Sequence, residues 1–176
     1  MSVERSRLFF ALWPDARLQR QCADWVRDHL SGRTGRRLPA VNLHVTLAFI
    51  GEVDATGRAC VESVADDVRS DAFTLMLDRV GYWRRPQVVW LGAGHSPPAL
   101  IELAKRLREG LKRCEVEVDR RPFQAHMTVI RKAVKGPGVV PAPLVQWPVA
   151  AFVLVSAELR PEGACYRILR RWPLQK

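Results

Sequence analysis

The sequence predicts an α+β domain built as two similar lobes, and three observations point there. Apolar residues recur at helical spacing in three stretches and fall into short extended runs between them. The phrase Leu43-His44-Val45-Thr46-Leu47-Ala48-Phe49-Ile50 returns as Ala125-His126-Met127-Thr128-Val129-Ile130. Each copy is also introduced alike, by a helix, then a basic loop with proline (Arg36-Arg37 and Pro39; Arg120-Arg121 and Pro122), then the His-x-Thr strand. From expected helix end to histidine the separation is 14 residues in the first copy and 12 in the second. Two lobes related by an approximate two-fold would set the histidine strands facing across one central cleft; two unrelated strands are the alternative. With 176 residues, 48% of them apolar and 26% charged, the chain is sized and composed for one globular domain spanning 1–176.

In chain order, Arg7 to Leu12 is a first strand buried on both faces, and Pro14-Asp15 starts a helix. Leu18, Cys22, Trp25, Val26 and Leu30 give that helix its apolar stripe from about Asp15 to Leu30, and Gly32 and Gly35 end it. The basic loop Arg33 to Pro39 leads into the His44 strand, which Gly51 closes. Asp54 caps a second helix with Cys60, Val61, Val64 and Val68 inward. Phe73 to Trp83 and Gln87 to Leu91 form a hairpin around Arg84-Arg85-Pro86. A third helix starts near Ser96-Pro97, buries Leu100, Leu103, Ala104, Leu107 and Leu111, and ends about Cys114. A short strand, Glu115 to Val118, and the loop Arg120-Arg121-Pro122-Phe123 precede the His126 strand. Gly136-Pro137-Gly138, Pro141 and Pro143 mark an irregular loop. Val149 to Leu159 and Cys165 to Trp172 close the chain as two strands around Pro161-Glu162-Gly163.

Lys and Arg number 28 against 18 Asp and Glu, a net charge of +10 that suits a polyanionic partner such as nucleic acid. A generally basic surface is the plainer account of the same number. The run Leu8 to Trp13 is too short for a signal-peptide core or a membrane span, so a cytoplasmic protein without membrane contact is expected. Cys22, Cys60, Cys114 and Cys165 stand far apart with no C-x-x-C pair; buried free thiols in a reducing compartment are expected, and a structural zinc site is not. Gly32-Arg-Thr-Gly35 lacks the trailing Lys-Ser/Thr of a phosphate-cradling loop, which argues against an ATPase.

Alternate side chains of a strand share a face, so His44 and Thr46 point one way and Val45, Leu47 and Phe49 the other. His126 and Thr128 stand likewise against Met127 and Val129. With four His and five Thr in the chain, recurrence of His-x-Thr by chance is on the order of one in two hundred. Two imidazoles and two hydroxyls on rigid strands are the parts of a proton-transfer site acting on an oxyanion. Of the other histidines, His29 suits the negative end of a helix dipole, and His95 stands in a loop before a helix start.

The two His-x-Thr strands, one per half, with Arg131 after the second, resemble the two-histidine phosphoesterases, in particular the RNA 2′,3′-cyclic phosphodiesterases first described as 2′-5′ RNA ligases. Arg7-Leu-Phe-Phe-Ala-Leu12 is similar to that family's first strand, Asn42-Leu-His-Val-Thr-Leu-Ala-Phe49 to its first motif, Pro86-Gln-Val-Val-Trp-Leu-Gly92 to its middle strand and Tyr166-Arg-Ile-Leu-Arg-Arg-Trp-Pro173 to its closing strand. The resemblance implies a bilobal α+β fold, two antiparallel sheets forming a cleft, helices outside, and neither metal nor cofactor. It implies metal-independent opening of an RNA 2′,3′-cyclic phosphate to a 2′-phosphate end, with 2′-5′ ligation as the reverse. His44 would be the proton donor and His126 the proton acceptor, while Thr46 and Thr128 would donate hydroxyls to phosphate. Arg131 would hold phosphate as well, yet strict alternation from His126 puts Ile130 and Lys132 on the site face, so Lys132 is the alternative unless a bulge re-aims the strand. Phe9, Phe49 and Tyr166, with Trp83 and Phe123, are candidates to stack a base, and the loops Arg33 to Arg37, Arg84-Arg85 and Arg120-Arg121 to steer the RNA backbone. Partners would be RNA ends or tRNA fragments carrying a cyclic phosphate, met by a monomer. Two other readings use the same parts: an RNA-end or tRNA-binding module without turnover, and a phosphodiesterase for 2′-5′-linked oligonucleotides.

Overall fold

The structure, a computed structural model, describes residues 5–30, 32 and 35–176; of the expected basic loop, Arg33 lies outside the described residues. Strand β1 (Ser6–Leu12) leads into helix α1 (Ala16–His29), whose first turn is capped by the Asp15 carboxylate accepting from the Leu18 N–H at 2.8 Å. A two-residue strand β2 (Arg36–Arg37) and a 3-10 turn (Ala40–Asn42) precede β3 (Val45–Val53). Asp54 caps α2 (Ala55–Asp67) in the same way, accepting from the Gly57 N–H at 2.8 Å. Then come β4 (Phe73–Leu77), β5 (Arg79–Trp83), β6 (Val88–Gly92), α3 (Pro98–Leu111), β7 (His126–Arg131), β8 (Val145–Val149), β9 (Ala151–Arg160) and β10 (Gly163–Pro173).

All the strand pairings are antiparallel. The main sheet runs β10-β9-β1-β3-β7-β6-β5, with β2 also on β7, and β4 and β8 form a separate pair. The main sheet has two halves, β10-β9-β1-β3 and β2-β7-β6-β5, bridged between β3 and β7 by the single couple Val45–Met127. One face of both halves carries the core. Leu8, Phe10, Leu12, Val45, Leu47, Met127, Val129, Phe152 and Leu154 pack there with the apolar stripes of the three helices, including Leu18, Cys22 and Val26 of α1 and Leu100, Leu103 and Leu107 of α3. The opposite face of β1 and β9 carries a small second cluster, Phe9, Ala11, Val153 and Val155, flanked by Trp13 and Tyr166. Strand alternation thus sends half of each strand to the helices and half to the cleft.

Five local expectations are corrected. Gly51 does not end β3: with φ +84 it sits opposite Leu8, and pairing continues to Val53. Phe73–Trp83 is not one strand. Asp78 breaks it, its N–H donating to the Gly92 carbonyl (3.0 Å) and its carboxylate accepting from the Gly94 N–H (2.6 Å), so β4 and β5 join different sheets. Glu115–Val118 is not a strand, because Glu115 takes a left-handed conformation (φ 57) and Val116 and Val118 pack on the core with no neighbouring strand to join. Strand structure resumes at Val145 rather than Val149; Pro148 is tolerated in β8 because that strand pairs only with β4 and needs no second ladder. Finally, Cys60 and Cys114 are not free thiols but a disulfide joining α2 to the 3-10 turn after α3. Cys22 is buried and free, its thiol pushed up to about 12 by burial, and Cys165 is exposed and free.

Candidate active site

The register at the bridge between the two halves assembles the four residues of the repeated motif. Val45 and Met127 face each other and are wholly buried (0% exposed). In an antiparallel pair the flanking residues then come opposite one another on the other face, His44 facing Thr128 and Thr46 facing His126. All four are half-buried, as expected of side chains lining a cleft. The Val45–Met127 couple therefore forms the floor of the site.

The two imidazoles are held by one device used twice. His44 Nδ1 lies 2.7 Å from the Asn42 carbonyl oxygen and His126 Nδ1 lies 2.8 Å from the Gln124 carbonyl oxygen, in each case two residues back. A carbonyl can only accept, so Nδ1 carries the hydrogen and Nε2 is left for chemistry on both rings. Asn42 is fixed in turn, its Nδ2 donating to the Ala164 carbonyl at 3.1 Å on the β9–β10 hairpin. Each ring also has an aromatic wall. His44 stacks on Trp13 (4.9 Å, 4°) with Phe9 at 5.0 Å and the edge of Tyr166 at 5.2 Å. His126 meets Trp83 edge-on at 4.4 Å and Trp90 at 6.5 Å.

Burial inside these walls disfavours the imidazolium. It lowers the His44 pKa to about 4 against the opposing bond to Asn42, with smaller contributions from the charges of Arg131 and His126. The His126 pKa is lowered too, again chiefly by burial, partly offset by the bond to Gln124, with Arg131 adding to the shift.

The question of Arg131 against Lys132 turns on a bulge. Trp90 pairs with Thr128 but Val89 pairs with Ile130, so Val129 is an extra residue on β7. Val129 and Ile130 are consequently both buried (1% each), alternation slips by one, and Arg131 returns to the face of His126 and Thr128. Lys132 has left the strand with φ 55. Of the aromatic candidates, Phe9 is buried (4%) beneath His44, Phe49 is exposed (61%) at 6.2 Å from Phe9, and Tyr166 is half-buried against Phe9, Trp13 and His44. Phe123 lies under Arg108 instead. Trp13, Trp90 and Asn42 were not singled out in the sequence, although Trp13 follows Phe9 and Ala11 at strand period and Asn42 stands before His44 as Gln124 stands before His126. His29 stacks on Trp25 of α1, and His95 is in an exposed loop. Among the described residues no group of three or more His, Cys, Asp or Glu is placed to hold a metal ion.

Comparison with known proteins agrees with this architecture. Residues 14–156 match the family model of the 2′-5′ RNA ligase superfamily. The chain is 38% identical over 173 residues to the RNA 2′,3′-cyclic phosphodiesterase of Escherichia coli (strain K12), covering 97% of this chain and 98% of the relative. It is 32% identical to the protein of the same name from Archaeoglobus fulgidus, covering 93% and 98%. Among solved structures, E. coli LigT complexed with 3′-AMP superposes with a TM-score of 0.92 at 36% identity, over 98% of this chain and all of that one. Similarity that runs from end to end in sequence and in fold makes this chain a member of the 2′-5′ RNA ligase superfamily.

Proposed function

We propose that this protein hydrolyses 2′,3′-cyclic phosphate at RNA ends, tRNA fragments included, leaving a 2′-phosphate and a free 3′-hydroxyl. The observation that carries this is the matched anchoring of two imidazoles from opposite halves, both with Nδ1 tied to backbone and Nε2 free on the same face. Relatives named RNA 2′,3′-cyclic phosphodiesterase support the reaction class. In the reaction, water attacks phosphorus and gives its proton to His126 Nε2. The bond from phosphorus to O3′ breaks, and O3′ takes the proton of His44 Nε2. Thr46, Thr128 and Arg131 donate to the non-bridging oxygens, where negative charge concentrates. Both proton transfers are supplied by imidazole, so no step calls on a metal.

The labels acid and base follow the family resemblance; in the free protein burial holds both rings neutral. An anionic cyclic phosphate in the cleft reverses that bias, since an opposite charge within about 4–6 Å favours the imidazolium. His44 therefore gains its proton together with the substrate.

The test is phosphorus NMR of a 2′,3′-cyclic nucleotide incubated with the protein in EDTA. The expected product is the 2′-phosphate, and His44→Ala and His126→Ala should each lose about 10²–10⁴-fold in rate, the range of general acid–base catalysis. Undiminished activity in both variants sinks the reading. The roles separate with an aryl phosphodiester whose leaving group needs no proton: His44→Ala then loses little, whereas His126→Ala still loses its full factor.

A further inference from the structure

Carboxylates are distributed unevenly along this chain. None occurs between Asp28 and Glu52, between Asp78 and Glu102, or between Asp119 and Glu158, and these three segments carry eleven Lys and Arg residues. They are also the segments that supply β2, β7 and the β5–β6 turn. The fold brings one end of each together. Arg36 pairs with Arg131 across β2 and β7, and the Ala133 N–H, just beyond β7, donates to the Gln87 carbonyl in the β5–β6 turn at 2.9 Å. Arg36, Arg131, Lys132, Arg84 and Arg85 thus collect along one end of the second half-sheet, all exposed and none of them in an ion pair among the described residues.

The position of this rim relative to the histidines matters. Arg131, five residues beyond His126, turns back to the cleft face and its charge acts on both histidines, so the rim begins at the site and its other members stand farther out. Arg84 and Arg85 sit at the same end, since β6 runs antiparallel to β7 with Val89 at Ile130 and Gly92 at His126. Arg36 closes the path on the other side: its guanidinium lies against Gly163 of the β9–β10 hairpin, where a Cβ would collide with Nη2. Arg131 is taken up by the reacting phosphate; the uncompensated charge of Arg36, Lys132, Arg84 and Arg85 beyond it has nothing to bind in a mononucleotide.

The remaining basic loop is built differently. Arg121 is held by Asp119 through Nε at 3.0 Å and Nη2 at 2.6 Å, and the Arg121 guanidinium keeps the Asp119 carboxyl down at about 2. The charge of Arg121 is already matched, which leaves Arg120 as this loop's one cation without an ion pair among the described residues.

We propose that the rim Arg36–Lys132–Arg84–Arg85, continuing outward from Arg131, is a track for the phosphates of nucleotides preceding the cyclic end, so that the preferred substrate is a single-stranded RNA terminus rather than a cyclic mononucleotide. This rests on the cyclic phosphodiesterase reading above. The test compares kcat/KM for an eight-nucleotide RNA ending in a 2′,3′-cyclic phosphate with kcat/KM for the cyclic mononucleotide. In Arg84→Ser/Arg85→Ser the ratio of the two should fall about tenfold, and the salt slope of log kcat/KM on the octamer should flatten by about 0.7 for each phosphate that the variant no longer neutralises. Arg120→Ser/Arg121→Ser should leave the ratio unchanged. An unchanged ratio in the first variant, or an equal fall in both, overturns the track. If the wild-type chain opens neither substrate, the enzymatic reading has failed. The track is then judged by fluorescence anisotropy of the same octamer, where weaker binding by Arg84→Ser/Arg85→Ser alone upholds it and equal binding by all three proteins overturns it.

Discussion

At the scale of single residues, the proposed chemistry rests on which ring nitrogen of each histidine is free, and that is decided by backbone carbonyls two residues back. A reaction needing one charged and one neutral imidazole gives a bell-shaped kcat/KM. Its acid limb rises as pH rises through the His44 value of about 4, and its alkaline limb falls below the ordinary histidine value of about 6.5, because burial lowers both groups. kcat/KM should therefore already be falling at neutrality, while kcat, reporting the substrate-bound state, turns at higher pH. Initial rates from pH 4 to 8 check this, and a kcat/KM still rising above pH 6.5 contradicts it. Asn42 is the positioning residue of this set, since its side chain ties the acceptor carbonyl's turn to Ala164. Asn42→Asp keeps the shape but cannot donate; kcat should fall about 10–100-fold with KM nearly constant, the scale expected when a reacting group is misplaced by about 1 Å. Asn42→Ala separates that loss from the added charge, and its His44 tautomer, read by nitrogen NMR, should no longer be a single Nδ1–H form.

At the scale of elements, irregularities rather than regular strands aim the side chains. The Val129 bulge sends Arg131 to the cleft, where strict alternation would have sent it into the core. Gly81 plays a matching part on β5, where the Trp90 indole lies across its Cα in the space a Cβ would fill. Gly81→Ala must push that ring off the wall beside His126, an overpacking worth about 1–3 kcal/mol. Urea unfolding followed by tryptophan fluorescence should show this loss, and a variant as stable as wild type would mean the ring has room to move. The helix caps were legible because Asp15 and Asp54 each precede a periodic apolar stripe. The break at Asp78 was not, because an apolar run through Phe73–Trp83 looks the same whether it serves one sheet or two.

At the scale of the whole molecule, the sheet halves are joined strand to strand by one β-bridge, and on the helical side by a continuous core. The helical side is closed covalently by Cys60–Cys114, which encloses a sequence separation of 54 residues. Restricting the unfolded chain over a loop of that length stabilises by about 2–4 kcal/mol. Cys60→Ser/Cys114→Ser should lower the denaturant midpoint accordingly and leave kcat at 25 °C unchanged, since the bridge joins α2 to the end of α3 and contributes nothing to the cleft. Reductant should bring wild type down to the level of the variant; equal midpoints with and without the bridge would contradict this.

The sequence by itself determined the helices, the strands that carry the histidines, the facing of His44, Thr46, His126 and Thr128, and the two-half plan, because periodicity and a repeated motif are local signals that survive without coordinates. Tertiary structure alone decided the Val45–Met127 register that sets the four residues in one group, the bulge that turns Arg131 to their face, the pairing of Cys60 with Cys114, and which basic loops share an edge. Each of these depends on which distant segment lies alongside, and side-chain period along one strand carries no information about its neighbour.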